Sequence, residues 1–329
     1  MAVRSVVGAS IDELMRWSYE SLLQLPLSVR GTRGLTSEMI GCQLELTSPL
    51  SRASSSETRG KLFGAFGELF WYLSGSNDAN AIGYYLSRYM EDSDENNLIP
   101  GGYGPRIIRS CAGNQLENVI TLLRERPQTR RAVIQIFKPE DTLFEGEIPC
   151  TCHIQFLLRD GRLNLIVSMR SNDAFIGLTH DIFCFTMIQE IIARSIGSEM
   201  GTYIHLAGSL HLYEDAREEA ETYLGEGIQS SQLIAPSMPS ENLWPSILTV
   251  AEAERSLRLF GQIGNDVEKL HPYWRDVVRI FELYRARFKD RDKVRAKLIH
   301  GKFAHRWFEE ITSSRIDQIE YYRDDNEQT

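Results

Sequence analysis

"CHIQFLLRDGRLNLIVSMRS", residues 152–171, decides the architecture of this chain. Apolar and polar residues alternate on both sides of Asp160-Gly161, a dipeptide suited to the left-handed backbone of a two-residue hairpin turn. The stretch therefore reads as two antiparallel strands, 152–161 and 162–171. Working outward, "RRAVIQIF" (130–137) and "GTYIHLAGSLHLY" (201–213) predict further strands. Between them, "THDIFCFTMIQEIIARSIG" (179–197) predicts a long helix, with Thr179 or Asp181 near its start and Gly197 at its end. Upstream, "LFGAFGELFWYLSG" (62–75) is apolar almost all round and predicts a buried helix ending at Gly75, with one carboxylate, Glu68, inside it. "NQLENVITLLRER" (114–126) predicts an amphipathic helix stopped by Pro127, and "SPLSRASSSETRGK" (48–61) a loop. From about residue 249 charged helical patterns dominate. The fold class is α+β: a central mainly antiparallel sheet flanked by helices, with a helical C-terminal extension.

Composition bounds the function. The chain has 329 residues, 42% hydrophobic and 25% charged, as expected of a globular protein. Its net charge of −9 argues against a partner nucleic acid, whose phosphates need a basic face. A small anion needs only a few arginines. No apolar run reaches the roughly eighteen residues of a membrane span, and the start lacks a signal-peptide pattern, so a cytoplasmic protein with no membrane association is expected. The cysteines, at 42, 111, 150, 152 and 184, frame no disulfide scaffold and read as reduced thiols.

Four stretches carry polar chemistry. "IPCTCHIQF" (148–156) places Cys150, Cys152 and His153 together, but no second ligand pair follows, so no metal is expected. On a strand Cys150 and Cys152 share a face and His153 opposes them. Cys152 suits a small buried hydrophobe. Cys150 follows Pro149 at the strand's mouth, where an exposed thiolate with a cationic neighbour is the alternative to packing. "TRR" (129–131) is either a solvated strand end or an anion contact. "RSNDAFIGLTHD" (170–181) is too polar for a packing element, and "GSLHLY" (208–213) puts His211 and Tyr213 on one strand face, as a structural pair or a grip on a hydroxyl.

In this order, "IPCTCHIQF", "MRSNDAFIGLTHD" and "GSLHLY" resemble the thymidylate synthase family, as do "GELFWYLSGSND", "DENNLIPGGYG" and the "TRR" arginine pair. The resemblance covers roughly residues 30 to 215. It implies a thymidylate synthase-like catalytic domain over 1–245, with 246–329 as the helical extension packed on it. It implies Cys150 as the nucleophile adding to pyrimidine carbon-6, and Arg170 and Ser171 as ligands of the 5′-phosphate, with Arg170 also keeping Cys150 a thiolate. Arg33 or Arg30 is a further phosphate ligand, and Arg130 and Arg131 reach the phosphate from the partner subunit of a homodimer. His211 and Tyr213 hold the sugar hydroxyl, Glu68 organises proton transfers at the base, and Tyr103 is the active-site tyrosine. Asp173, Tyr89 and Gly177 fall on the side of the co-substrate, 5,10-methylenetetrahydrofolate.

Two positions depart from the synthases. Asp181 stands where they carry an asparagine that reads uracil; a carboxylate suits the cytosine amino group, a pure donor. Tyr89 stands where they carry a tryptophan against the folate, and a smaller ring admits water. The resemblance thus implies a cytidylate 5-hydroxymethylase acting on CMP or dCMP, a pyrimidine nucleoside monophosphate. The alternatives are a thymidylate synthase or dUMP hydroxymethylase, and a silent nucleotide- or RNA-binding module.

Overall fold

Asp160 and Gly161 adopt φ angles of 49° and 72°, the left-handed pair that closes a two-residue hairpin. The turn joins two of the strands on which the site is built. The computed structural model describes residues 4–54, 56–59, 62–228 and 233–317. Its first half runs β1 (Arg4–Gly8), α1 (Ile11–Leu23), β2 (Val29–Gly31), β3 (Gly34–Leu46), α2 (Leu62–Leu73), α3 (Ala79–Gly83), α4 (Tyr103–Ile108) and α5 (Gln115–Glu125). The site-bearing part follows as β4 (Val133–Gln135), β5 (Thr151–Arg159), β6 (Arg162–Met169), β7 (Asn172–Asp173), α6 (Leu178–Ile196) and β8 (Glu199–Tyr213). Then come α7 (Arg217–Gly225), α8 (Leu243–Phe260), α9 (Pro272–Tyr284), α10 (Lys293–His300) and α11 (Arg306–Asp317). The last dozen residues of the expected C-terminal extension, and residues 55, 60 and 61 of the serine-rich loop, lie outside the described residues.

The class is α+β, and the sheet is mixed. Strand order is β1-β3-β8-β6-β5-β4, with β2 on β3 and β7 on β8. Pairing is antiparallel for β2–β3, β3–β8, β4–β5 and β5–β6 and parallel for β1–β3, β6–β8 and β7–β8. Helix α6 is the cause of the parallel centre. It carries the chain from the end of β6 back across the sheet, so that β8 runs in the same direction. The register then sets Thr151 opposite Met169, Met169 opposite Ala207, and Asp173 opposite His211. The start of β5 and the ends of β6 and β8 therefore meet at one end of the sheet.

Two expectations shift. The strand expected over 130–137 shrinks to Val133–Gln135, an edge strand paired only to β5. A bulge between Thr151 and His153 breaks the alternation of β5, and the amides of Ile136 and Phe137 both donate to the Cys152 carbonyl at 3.0 Å. Cys150 and Cys152 consequently do not share a face. Helix α6 begins at Leu178 with Gly177 at its boundary, Thr179 and Asp181 in its first turn and Gly197 at its end, as expected.

Helix α2 is buried from Leu62 to Tyr72. It lies between α6, through Phe66 against Phe183 at 4.9 Å, and α9, through Phe281 against Phe66 and Phe70 at 6.5 and 5.6 Å between ring centroids. One face of α9, with Trp274, Val277, Val278 and Phe281, is buried. Covering α2 is what holds Glu68 in place. Among the described residues no helix is long and apolar enough to cross a membrane.

Phe281→Ala is expected to lower stability by about 3–5 kcal/mol, because it opens a cavity where the surrounding rings cannot all close in. Urea unfolding checks this; an unchanged midpoint means that α9 is not part of the cooperative core.

Candidate functional site

At the end of the sheet where β5 begins and β6 and β8 finish, two cavities of about 220 and 460 Å³ adjoin. Both are lined by Tyr72, Arg88, Tyr89, Tyr103, Cys150 and Asp173. The smaller adds Arg33, Arg170, Ser171, His211 and Tyr213. The larger adds Arg59, Glu68, Asn172, Gly177, His180 and Asp181. The first sets Arg33, Arg88 and Arg170 among Asp92, Glu147 and Asp173, beside the hydroxyls of Ser171 and Tyr213; the second is walled by carboxylates and aromatic rings, with Arg59 and Arg88 among them.

Cys150 sits at their junction. Arg170 donates from Nη2 to its sulfur at 3.8 Å and ties itself to the loop through Nε to the Pro149 carbonyl, 2.9 Å, and Nη2 to the Ile148 carbonyl, 3.2 Å. Burial nonetheless pushes the Cys150 thiol up to about 11, with the Arg170 charge only partly offsetting it. Arg170 stands beside Cys150 as expected, and its charge lowers the thiol against the larger effect of burial. Desolvating a thiolate costs more than the exposed guanidinium returns. Cys152 lines a different groove with Gln43, Ser168 and Leu206 on the other face of the sheet.

Two carboxylates have opposite environments. Glu68 is 5% exposed and accepts hydrogen bonds from Tyr72 OH at 2.7 Å, from Tyr89 OH, and from His180 Nδ1 at 3.0 Å. Burial alone would raise its carboxyl, but His180 and the two phenols outweigh burial and hold it below the ordinary range. Asp181, half-buried on the first turn of α6, receives one such bond, from Asn172 Nδ2 at 2.7 Å. Burial, reinforced by the charge of Glu68, pushes it up to about 8. Near neutrality the pair is one base and one acid.

The remaining residues divide clearly. Tyr103 OH accepts from Thr151 N at 3.1 Å and Thr151 Oγ1 at 3.0 Å, so it braces the residue after Cys150. Asp173 Oδ1 accepts from the amides of Phe175 and Ile176 at 2.8 and 3.0 Å, which fixes the turn into α6. Gly177 keeps that turn narrow, since a Cβ there would lie 3.1 Å from Asn172 Nδ2 and 3.3 Å from Asp181 Oδ2. His211 and Tyr213 meet edge to face at 5.1 Å, with His211 held below its ordinary range mainly by burial. Of the two N-terminal arginines, Arg33 lines the smaller cavity, paired to Asp92 at 3.3 Å, while Arg30 on β2 does not. Arg130 and Arg131 are exposed and line neither cavity of their own chain.

Sequence reasoning missed Tyr72, Arg88, Arg59 and the role of Asn172. Tyr72 carried a signal, because it lies four residues after Glu68 and so on the same helix face. Arg88 stands on a short 3-10 turn, Ser87–Met90, and Arg59 stacks 4.3 Å over Phe175 while donating to Thr179 Oγ1 at 2.8 Å. Neither has a spacing that marks it. No cluster of three His, Cys, Asp or Glu side chains able to hold a metal occurs among the described residues.

The family model described as thymidylate synthase matches residues 36–239. Among solved structures, the chain is similar to thermostable thymidylate synthase A from Bacillus subtilis, with a TM-score of 0.56 at 23% identity. The match covers 67% of this chain and 86% of that one, and it bears on the fold.

A thiol pushed up to about 11 makes a direct prediction for Cys150. Its alkylation by iodoacetamide, followed by peptide mass spectrometry, should accelerate about tenfold per pH unit between roughly pH 7 and 10, because only the thiolate reacts. A rate already level across that interval would mean that Arg170 outweighs burial.

Proposed function

The chain belongs to the thymidylate synthase family, whose chemistry is one-carbon transfer from methylenetetrahydrofolate to carbon-5 of a pyrimidine nucleotide, and from that premise we propose a cytidylate 5-hydroxymethyltransferase. The observation that carries the reading is the split between Glu68 and Asp181. A neutral carboxyl at Asp181 presents an O–H to cytosine nitrogen 3 and a carbonyl oxygen to the exocyclic amino group. Cys150 adds to carbon-6 and its proton leaves to pocket solvent; nitrogen 3, now more basic, takes the proton that Asp181 holds. The carboxylate left behind faces two N–H donors. Uracil has its own proton on nitrogen 3 and a weakly basic carbonyl beside it, so the same transfer gains less. Glu68, held ionised by its three donors, takes the carbon-5 proton in this reading.

Ser171, Arg33 and Arg170 suit the 5′-phosphate, and the His211–Tyr213 pair the sugar. The larger cavity fits the folate, with Phe175, Ile176 and Leu86 supplying apolar wall and Asp173 a polar contact. The folate supplies a one-carbon unit. Tyr89, His180 and Glu68 make the adjoining wall polar, which favours capture of water in completing the product. Because the step needs the Cys150 thiolate and the Asp181 proton together, kcat/KM for cytidylate should rise with pH up to about 8 and level off above it, and Asp181→Asn should remove that break, leaving the rise to continue, while shifting preference toward uridylate by at least roughly tenfold. Mass spectrometry of products from CMP, dCMP and dUMP decides the reading. Methylated uridylate accompanied by dihydrofolate would replace it with the synthase.

The functional unit in this reading is a homodimer. Ile40, 61% exposed, and the partly exposed Leu157, Ile166, Ile204 and Leu206 form an apolar stripe on the outer sheet face. A second copy seated there would cover that face and could bring its own Arg130 and Arg131 to the phosphate. Mixing Arg131→Ala with Cys150→Ser subunits should restore turnover that neither variant has alone. Full activity in a species that sediments as a monomer would rule out the shared site.

A further inference from the structure

Behind Asp181 runs a hydrogen-bonded chain whose members other than Asn172 touch neither cavity. Tyr203 and His205 on β8 are 0% exposed and Asn172 on β7 is 3% exposed. Tyr203 OH lies 2.9 Å from His205 Nδ1, His205 Nε2 lies 3.1 Å from Asn172 Oδ1, and Asn172 Nδ2 lies 2.7 Å from Asp181 Oδ2. The direction of donation is fixed from the far end. Tyr203 OH has no other hydrogen-bond partner among the described residues, so its proton must go to Nδ1 or be left unpaired in the core, at a cost the fold avoids. Burial keeps the imidazole neutral, so with Nδ1 accepting, Nε2 carries the hydrogen. Asn172 must then turn its carbonyl to His205 and its amide hydrogens to Asp181.

We propose that the Tyr203–His205–Asn172 chain sets the proton polarity of Asp181, so that Oδ2 always accepts and Oδ1 is the oxygen that holds the proton offered to pyrimidine nitrogen 3. His205 is thus a positioning residue that determines base specificity without touching the base. The inference rests on the reading of Asp181 as the group that recognises the base. Other groups act on the same carboxyl: Glu68 from α2, Arg88 from the 3-10 turn, Asp173 from β7, and the neutral Tyr103, Cys150 and Cys184. None of them reaches Asp181 by a described hydrogen bond. Only Asn172 does, and its orientation is what His205 controls.

The test uses His205→Phe, which fills the space without a donor, His205→Gln, which restores an N–H, and Tyr203→Phe, which frees the tautomer. Two quantities are read: the Asp181 carboxyl titration by carbon-13 NMR in ligand-free protein, and the CMP-to-UMP affinity ratio by calorimetry. With the donor gone the Asn172 amide can rotate its carbonyl toward Asp181. The phenylalanine variant should therefore raise the titration midpoint by about one pH unit and lower the affinity ratio about tenfold. His205→Gln should restore both, and Tyr203→Phe should move both the same way by less. A folded His205→Phe protein with the wild-type midpoint overturns the proposal, as does a glutamine variant that behaves like the phenylalanine one, since packing alone would then be at work. If His205→Phe does not fold, an unmoved midpoint in Tyr203→Phe overturns it. A moved midpoint in a protein whose wild type shows no base preference would sink the cytidylate reading and leave the chain of donors standing.

Discussion

An ionised carboxylate on a helix buried along almost its whole length has to be compensated from outside its own face, and Glu68 on α2 sets that demand. Its donors come from α2 itself one turn on, from the 3-10 turn that carries Tyr89, and from the first turn of α6 through His180. Three segments distant in sequence are thereby pinned to one atom pair. Losing any of them leaves a buried charge short of a partner, which is costlier than the bond is worth when made. The same pinning places Asp181, one residue after His180, close enough to Glu68 to feel its charge. Proximity of two carboxylates with unequal support gives one acid and one base from a single construction.

The site's position follows from strand direction. β6 and β8 run parallel because α6 intervenes, and β5 runs against β6 because only two residues separate them. A cysteine before β5, an arginine after β6 and a His–Tyr pair closing β8 must then converge. The bulge at Thr151–His153 completes the arrangement by sending Cys152 to the opposite face.

Much of this was legible in the chain. The hairpin at Asp160-Gly161, the long helix ending at the left-handed Gly197, and the buried α2 each follow from a local pattern that packing does not contradict. The bulge was not legible, because an extra residue in a strand leaves the sequence looking alternately apolar while reversing which side chains face the cavity. β3 escaped because Gly34 and Gly41, at φ angles of 137° and 68°, interrupt its pattern. The upward push that burial gives Cys150 and Asp181 was not legible from identity alone. Both depend on how much water the fold removes, which no spacing encodes. The His205 chain lay within a plain strand pattern and became visible only as distances.

The covering of α2 by α9 has a consequence for how the protein is made. Phe66 and Phe70 leave the ribosome roughly two hundred residues before Phe281, the ring that closes over them, so a nascent chain carries an unsheltered apolar helix through most of its synthesis. The sheet can pair as soon as β8 emerges, but its active-site helix cannot be sealed until α9 follows. Such a chain invites holding by chaperones during translation and aggregation where they are scarce. Expression yield, more than the stability of the finished fold, is where this topology exacts its cost.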